Sequence, residues 1–196
     1  MFCDEPAVYR CSVCEKALCS RHRRVHTVCS SCISKNSFDY AVQSVKTSDG
    51  RASIREMVRI FWGEQEQIAL DRKFAVADLP VFAAIVDGEV KGFISFAEGK
   101  DAMMIVALGV LPSHQNAGVG RKLVQKVEDL ARETGKEKLL VSTSNDDLPA
   151  LDFYQRLGFQ IYEVRPNVVA EKHGKVLSGI GGLPLRDELR LRKALI

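Results

Sequence analysis

All six cysteines of this chain stand between Cys3 and Cys32, and two of its four histidines, His22 and His26, share that segment. The spacing is Cys3-x7-Cys11-x2-Cys14-x4-Cys19-x2-His22-x3-His26-x2-Cys29-x2-Cys32. An even cysteine count suits disulfides, but no secretory signal precedes them and a reducing compartment disfavours the bond. Cys-x2-Cys and Cys-x2-His pairs with a further histidine have zinc-ligand spacing, because a two-residue gap turns both donors toward one tetrahedral ion. Eight ligands make two four-coordinate sites. Cys11 and Cys14 pair with Cys29 and Cys32, which leaves Cys19, His22 and His26 with Cys3, or with Asp4 or Glu5 in its place. Both sites are then full, so the two ions are structural rather than catalytic. A segment of about 36 residues is too small to fold on its own core and depends on the metal.

Different chemistry is offered by Gly118 and Gly120, which follow the apolar run Met103 to Val110 and open an amphipathic stretch. The first N–H groups of a helix have no intrahelical partner, and the helix dipole adds positive charge there. Glycines remove the Cβ atoms that would hold a pyrophosphate away from those N–H groups. Read alone, Gly-x-Gly is equally a softened strand-to-helix turn with no ligand.

The elements that must position these groups follow from periodicity. Met103 to Val110 has no polar face and reads as a strand covered on both sides. Pro112 ends it, a polar turn covers Ser113 to Asn116, and Leu123, Val124, Val127, Leu130 and Ala131 give the next helix one apolar face before Gly135 closes it. Upstream, Phe38 to Lys46 reads as a strand ending at Ser48-Asp49-Gly50, and Ala52 to Trp62 as a helix ended by Gly63. Glu64 to Phe74 reads as a second helix or an irregular segment. Val81 to Val86 and Val90 to Phe96 form a hairpin around Asp87-Gly88. Downstream come a strand at Lys138 to Ser142, a helix at Asp147 to Leu157 and a strand at Phe159 to Val164. The connection Arg165 to Pro184 is long enough to line a site or hold a partial strand. Leu185 to Leu195 is a last strand. This order gives an α/β fold, a mixed sheet with helices on its faces, over residues 37–196, joined at Ser34 to Ser37 to a small zinc-binding domain over 1–36.

Gln115-Asn116-Ala117-Gly118-Val119-Gly120, the preceding L-G-V-L-P and the amphipathic helix behind them resemble the cofactor signature of the GNAT family of N-acetyltransferases. The later stretch T-S-N-D-D-L-P-A-L-D-F-Y-Q-R-L-G-F resembles that family's second signature. The order of elements agrees, so the resemblance runs from about residue 40 to 196. It implies the GNAT fold and acetyl-CoA as cofactor. It implies that Gln115, Asn116, Ala117, Gly118, Val119, Gly120 and Arg121 hold the pyrophosphate. Backbone groups of Leu108, Gly109 and Val110 would hold the pantetheine arm, with the Val110 N–H at the thioester carbonyl. Asn145 would contact coenzyme A, and Tyr154 would stand near the sulfur, where a phenol of pKa ~10 can protonate a leaving thiolate. By periodicity alone Tyr154 is a core aromatic. The cysteine-rich segment resembles cross-brace zinc fingers of the B-box and AN1 types, whose middle spacing Cys-x2-Cys-x4-Cys-x2-His it reproduces.

No carboxylate lies in Met103 to Val110 to serve as general base. Glu64, Glu66 and Glu98 read as surface charges and His114 as a solvated turn residue, so no base is assigned. The chemistry implied is direct attack of an amine on the bound thioester in a ternary complex, the amine being a small molecule or a protein. The alternative is a zinc-finger binding protein whose larger domain only senses acetyl-CoA. Net charge is +3 over 196 residues. Six Lys/Arg and three Asp/Glu up to Asn36, set against six thiolates and two Zn²⁺ ions, leave the finger at about +1. That argues against nucleic acid as partner, Arg21, Arg23 and Arg24 notwithstanding, and for a protein contact. No apolar run reaches the ~18 residues of a membrane span, and a soluble cytoplasmic protein is expected.

Overall fold

The computed structural model describes residues 40–195, together with the backbone of two short strands, β1 (Tyr9–Arg10) and β2 (Ala17–Leu18), paired antiparallel. The eight zinc-ligand assignments from Cys3 to Cys32 lie outside the described residues. From Tyr40 onward the elements are β3 (Ala41–Ser44), α1 (Ser48–Trp62), β4 (Glu66–Ala69), β5 (Arg72–Ala75), β6 (Val81–Val86), β7 (Glu89–Glu98), β8 (Ala102–Val110) and α2 (Val119–Glu133). There follow β9 (Lys138–Ser144), α3 (Leu148–Arg156), β10 (Gln160–Arg165), α4 (Val168–His173), β11 (Leu177–Ser178), β12 (Pro184–Leu185) and β13 (Glu188–Ala194).

Seven strands form one sheet in the order β10-β13-β9-β8-β7-β6-β3. Every neighbour pair is antiparallel except β8 with β9, whose crossover carries α2. The sheet is covered on both faces. Val119, Leu123, Val127 and Ala131 of α2 bury against Ile94, Met103, Ile105 and Leu139, with Tyr154 of α3 in the same cluster. On the other face Ile54, Met57 and Val58 of α1 bury with Val81, Phe93 and Ala107. The central strands β6, β7 and β8 therefore read as nearly continuous apolar sequence at their centres.

Strand β8 carries the feature that makes the site. Its register with β7 slips between Ser95–Ala107 and Phe96–Ile105, so Val106 is an extra residue. A bulge reverses the phase of alternation. Met103 and Ile105 before it, and Leu108 and Val110 after it, consequently pack with the same core cluster.

Two local readings differ from the sequence-based expectation. α1 starts at Ser48 rather than Ala52, because the Thr47 hydroxyl accepts from the Gly50 N–H at 3.1 Å and turns Ser48-Asp49-Gly50 into the first helical turn. Glu64 to Phe74 holds the β4–β5 hairpin instead of a helix. Its turn is Leu70-Asp71, both at positive φ (52° and 61°), a conformation that turn-forming Asn-Gly would have announced and Leu-Asp does not. The connection after β10 lines the site through α4 and holds the short strand β11. Among the described residues no helix is long and apolar enough to cross a membrane.

Candidate active site

Parallel pairing of β8 with β9 runs only from Ala102–Lys138 to Ile105–Val141. Beyond the bulge the strands part: Ala107 to Val110 stay with β7, while Ser142, Thr143 and Ser144 pair with Arg190, Leu189 and Glu188 of β13. The second half of β8 thus has no strand partner on its β9 side, leaving backbone donors and acceptors open to a ligand. A cavity of about 320 Å³ occupies the split, and Leu108, Asp147 and Tyr154 are on its wall.

Of the three residues expected to hold an extended ligand arm, Leu108 lines this cavity. Gly109 is packed under α1: a Cβ there would meet the Phe61 ring at 2.6 Å, so its lack of a side chain is needed by that packing. The Val110 carbonyl accepts from the Gln115 side-chain amide at 2.9 Å, which ties the following turn to the strand end. Gln115 therefore positions the turn.

The turn itself runs through a 3-10 segment, Pro112–His114, and two left-handed residues, Asn116 (φ 63°) and Gly118 (φ 83°). Gly118 is the N-cap of α2 and supplies no side-chain cap. No acidic residue stands in the first turn, which instead carries the exposed Arg121 and Lys122. Cations there oppose the helix dipole, and an uncapped start leaves N–H groups unsatisfied. Both local rules are broken in the sense that favours a bound anion. Gly120 has a separate reason: a Cβ would sit 3.3 Å from Phe153, so it sets the approach of α2 to α3. Val119 and Ala117 pack against the core. His114, expected to be solvated, is buried with its Nδ1 at 2.8 Å from the Ser113 hydroxyl.

Asn145 and Tyr154 part company in the structure. The Asn145 side chain donates to the Pro184 carbonyl at 2.7 Å and accepts from the N–H groups of Arg186 and Asp187 at 2.9 and 2.8 Å. It clamps the start of β13 to the end of β9, and among the described residues one amide hydrogen has no acceptor. Tyr154 lines the cavity from α3. Its ring is buried between Phe153 and Phe159, with edge contacts at 5.2 and 5.3 Å between ring centres. Burial, and secondarily the Asp147 carboxylate, push the phenol well above its usual value. It is a neutral donor at any physiological pH.

Asp147 is the site residue that sequence reading missed. It caps α3 through the Ala150 N–H at 3.0 Å and faces the cavity two helical turns before Tyr154. Burial raises its carboxyl, with the neighbouring charge of Asp146 adding to the effect. The available signal was its place as N-cap before Leu148-Pro149, on the Tyr154 face. Glu64, Glu66 and Glu98 pair on the surface with Lys172 (3.4 Å), Lys73 (2.7 Å) and Lys136 (3.5 Å). Glu188 does reach the cavity, but its oxygens accept from the Leu70 N–H at 3.0 Å and Arg190 Nε at 2.8 Å. Among the described residues no cluster of three His, Cys, Asp or Glu could hold a metal.

A split parallel pair, a bulged strand and an uncapped glycine-started helix at its end frame the cavity. The chain belongs to the acetyltransferase (GNAT) family, whose sequence profile matches residues 51–159. It is 32% identical over 141 residues to "uncharacterized protein YdhI" of Bacillus subtilis, covering 68% of this chain and 86% of that one. It is 35% identical over 86 residues to streptothricin acetyltransferase of Streptomyces lavendulae, covering 42% and 46% of the two chains. Among solved structures, a GNAT family acetyltransferase from Elizabethkingia anophelis with acetyl-CoA bound superposes with a TM-score of 0.61 at 16% identity, over 79% of this chain and 97% of that one. An IAA acetyltransferase from Bacillus cereus gives 0.63 at 19% identity, over 80% and 99%. At such identities the structural matches establish the fold.

Proposed function

We propose that the chain is a cytoplasmic, acetyl-CoA-dependent N-acetyltransferase that transfers an acetyl group to an amine by direct attack in a ternary complex. One observation carries the reading: the strand that opens the cavity leads into an uncapped, cationic helix start, and the same cavity holds a neutral buried phenol. Acetyl-CoA supplies an acetyl carbon open to an amine and a thiol leaving group. The residues present fit it. Gly118, Val119, Gly120 and Arg121, with Asn116 and Ala117 before them, would receive its pyrophosphate at the α2 start, which Gln115 holds against the strand. The open backbone edge at Leu108, Gly109 and Val110 would receive its arm. Tyr154, on the cavity wall, would give its proton to the departing sulfur. Asn145 would act through the backbone it clamps, with one amide hydrogen left for coenzyme A.

Calorimetric titration of acetyl-CoA into the full chain is expected to show one site. Thiol release on adding a suitable amine should follow. An absence of binding sinks the proposal, and binding without release by any amine would make the domain a sensor instead.

The segment over 1–36 we read as a separate domain with two structural Zn²⁺ ions, held by Cys11, Cys14, Cys29 and Cys32 and by Cys3, Cys19, His22 and His26. The ligand spacing supports this, as does the pairing of β1 with β2 on either side of Cys11 and Cys14. Its use would be a protein contact. Elemental analysis of the full chain should return two zinc ions per molecule, and one or none rejects the assignment.

A further inference from the structure

The cavity has a second end, away from the β8–β9 split, and its construction bears on which amine can enter. Two segments roof it, the β4–β5 hairpin from the first half of the chain and α4 from the second. They are tied across the opening and to the sheet beneath. The Leu70 N–H at the hairpin tip donates to Glu188 at 3.0 Å. Asp71 beside it pairs with Arg190 at 2.7 Å and Arg165 at 3.4 Å. Lys172 of α4 reaches Glu64, just before the hairpin, at 3.4 Å. A polypeptide acceptor needs an open trough so that chain can leave on both sides of the reacting amine, and these ties hold the hairpin to β13 and β10 and hold α4 to the segment before the hairpin, against such an opening. The volume of about 320 Å³ is at the small end of ligand pockets. It must also admit the acetyl end of the cofactor.

The walls at this end are mainly apolar. Trp62 at the end of α1 and Ile68 of β4 are large apolar side chains left 38% and 44% exposed. Val168 and Val169 of α4 and Leu185 of β12 complete the lining. Unburied apolar surface of this size at a cavity mouth is surface a ligand can cover. The charges argue the same way. Glu188, the carboxylate at this end, has both oxygens engaged, and Lys172 puts a cation at the rim. A polycation needs several free carboxylates, and among the described residues the cavity lining offers only Glu188 and Asp147, the one bound by Leu70 and Arg190 and the other capping α3.

Resting on the acetyltransferase reading above, we propose that the acceptor is a small primary monoamine with an apolar substituent, selected by Trp62, Ile68 and Val169. Proteins, peptides, polyamines and aminoglycosides are then poor acceptors, which reverses the bias toward a macromolecule that a fused zinc finger suggests.

The test measures thiol release by the full chain at fixed acetyl-CoA. The acceptors are isopentylamine, phenethylamine, spermidine, an aminoglycoside, a lysine peptide with a blocked N-terminus, and a peptide with a free N-terminus. Expected kcat/KM is at least tenfold higher for the two apolar monoamines than for any other member. Ile68→Lys, a change at a half-exposed position that folding tolerates, should raise KM about tenfold with phenethylamine as acceptor and leave acetyl-CoA affinity within twofold. A peptide or polycation used as well as the monoamines overturns the inference and leaves the enzyme reading standing. So does an unchanged KM in Ile68→Lys. Acetyl-CoA binding with no release from any amine removes both.

Discussion

Gly118→Glu is expected to weaken acetyl-CoA binding at least 100-fold, about 2.7 kcal/mol, while the protein still folds. Two effects combine. Gly118 sits at φ 83° as the N-cap of α2, where a side chain costs about 1 kcal/mol or more in backbone strain. The larger effect is electrostatic. A carboxylate at the N-cap is welcome to an isolated helix, but here it would occupy the anion position and repel a pyrophosphate. Stability and binding should therefore separate: the thermal midpoint falls by a few degrees, and affinity collapses. Gly118→Asn isolates the charge, since asparagine tolerates left-handed φ, as Asn116 does two residues earlier at 63°. It should bind within about tenfold of the parent, because only geometry is disturbed. Raising the salt concentration should narrow the gap between the two variants. Gly118→Glu binding within threefold of the parent would place the pyrophosphate elsewhere.

The reason this turn was legible from sequence, and other parts of the site were not, is physical. β8, the turn and α2 are consecutive, so their apolar run, glycines and helical spacing are written side by side. The clamp made by Asn145 and the partnership of Glu188 with Leu70 join residues 39 or more positions apart, and no local pattern encodes such contacts. Asn145 received its expected coenzyme A contact from its match to the family's second signature, not from any local pattern. In the structure its side chain also joins the end of β9 to the start of β13, and Asp147 two residues on lines the cavity. The β4–β5 hairpin was hidden for another reason. Leu70 and Phe74, four apart, mimic helical spacing, and the strand pattern shows only once Ala69 and Phe74 are seen buried together. Gly109 and Gly120 show the converse hazard. Both belong to the signature, yet each is also required by an aromatic ring lying against it, so part of a ligand motif is packing.

Tyr154→Phe should lower kcat by about 100-fold or more, in the range typical for loss of a general acid, with acetyl-CoA affinity unchanged within threefold. Phenylalanine keeps the edge contacts with Phe153 and Phe159, and the hydroxyl has no partner to abandon among the described residues, so the substitution costs little stability. The pH dependence follows from the upward shift of the phenol, caused first by burial and then by Asp147. Below pH ~10, the usual phenol value, the group is neutral whether the chain is folded or not. As pH climbs beyond that value the unfolded chain ionises first, so the stability gained from keeping the phenol neutral is lost progressively on the alkaline side. Tyr154→Phe should accordingly unfold less steeply above pH ~10. In the parent enzyme kcat should show no alkaline fall assignable to Tyr154 between about pH 6 and 10, because the donor stays protonated throughout. A kcat within threefold of the parent would make Tyr154 a packing aromatic, and the thiolate would then have to take its proton from water in the cavity or from Asp147. The second source is testable in the same series: Asp147 can donate only while protonated, so its rate would fall as pH rises through a carboxyl value that burial has moved upward. A flat profile in the parent together with a large loss in Tyr154→Phe leaves the phenol as the donor.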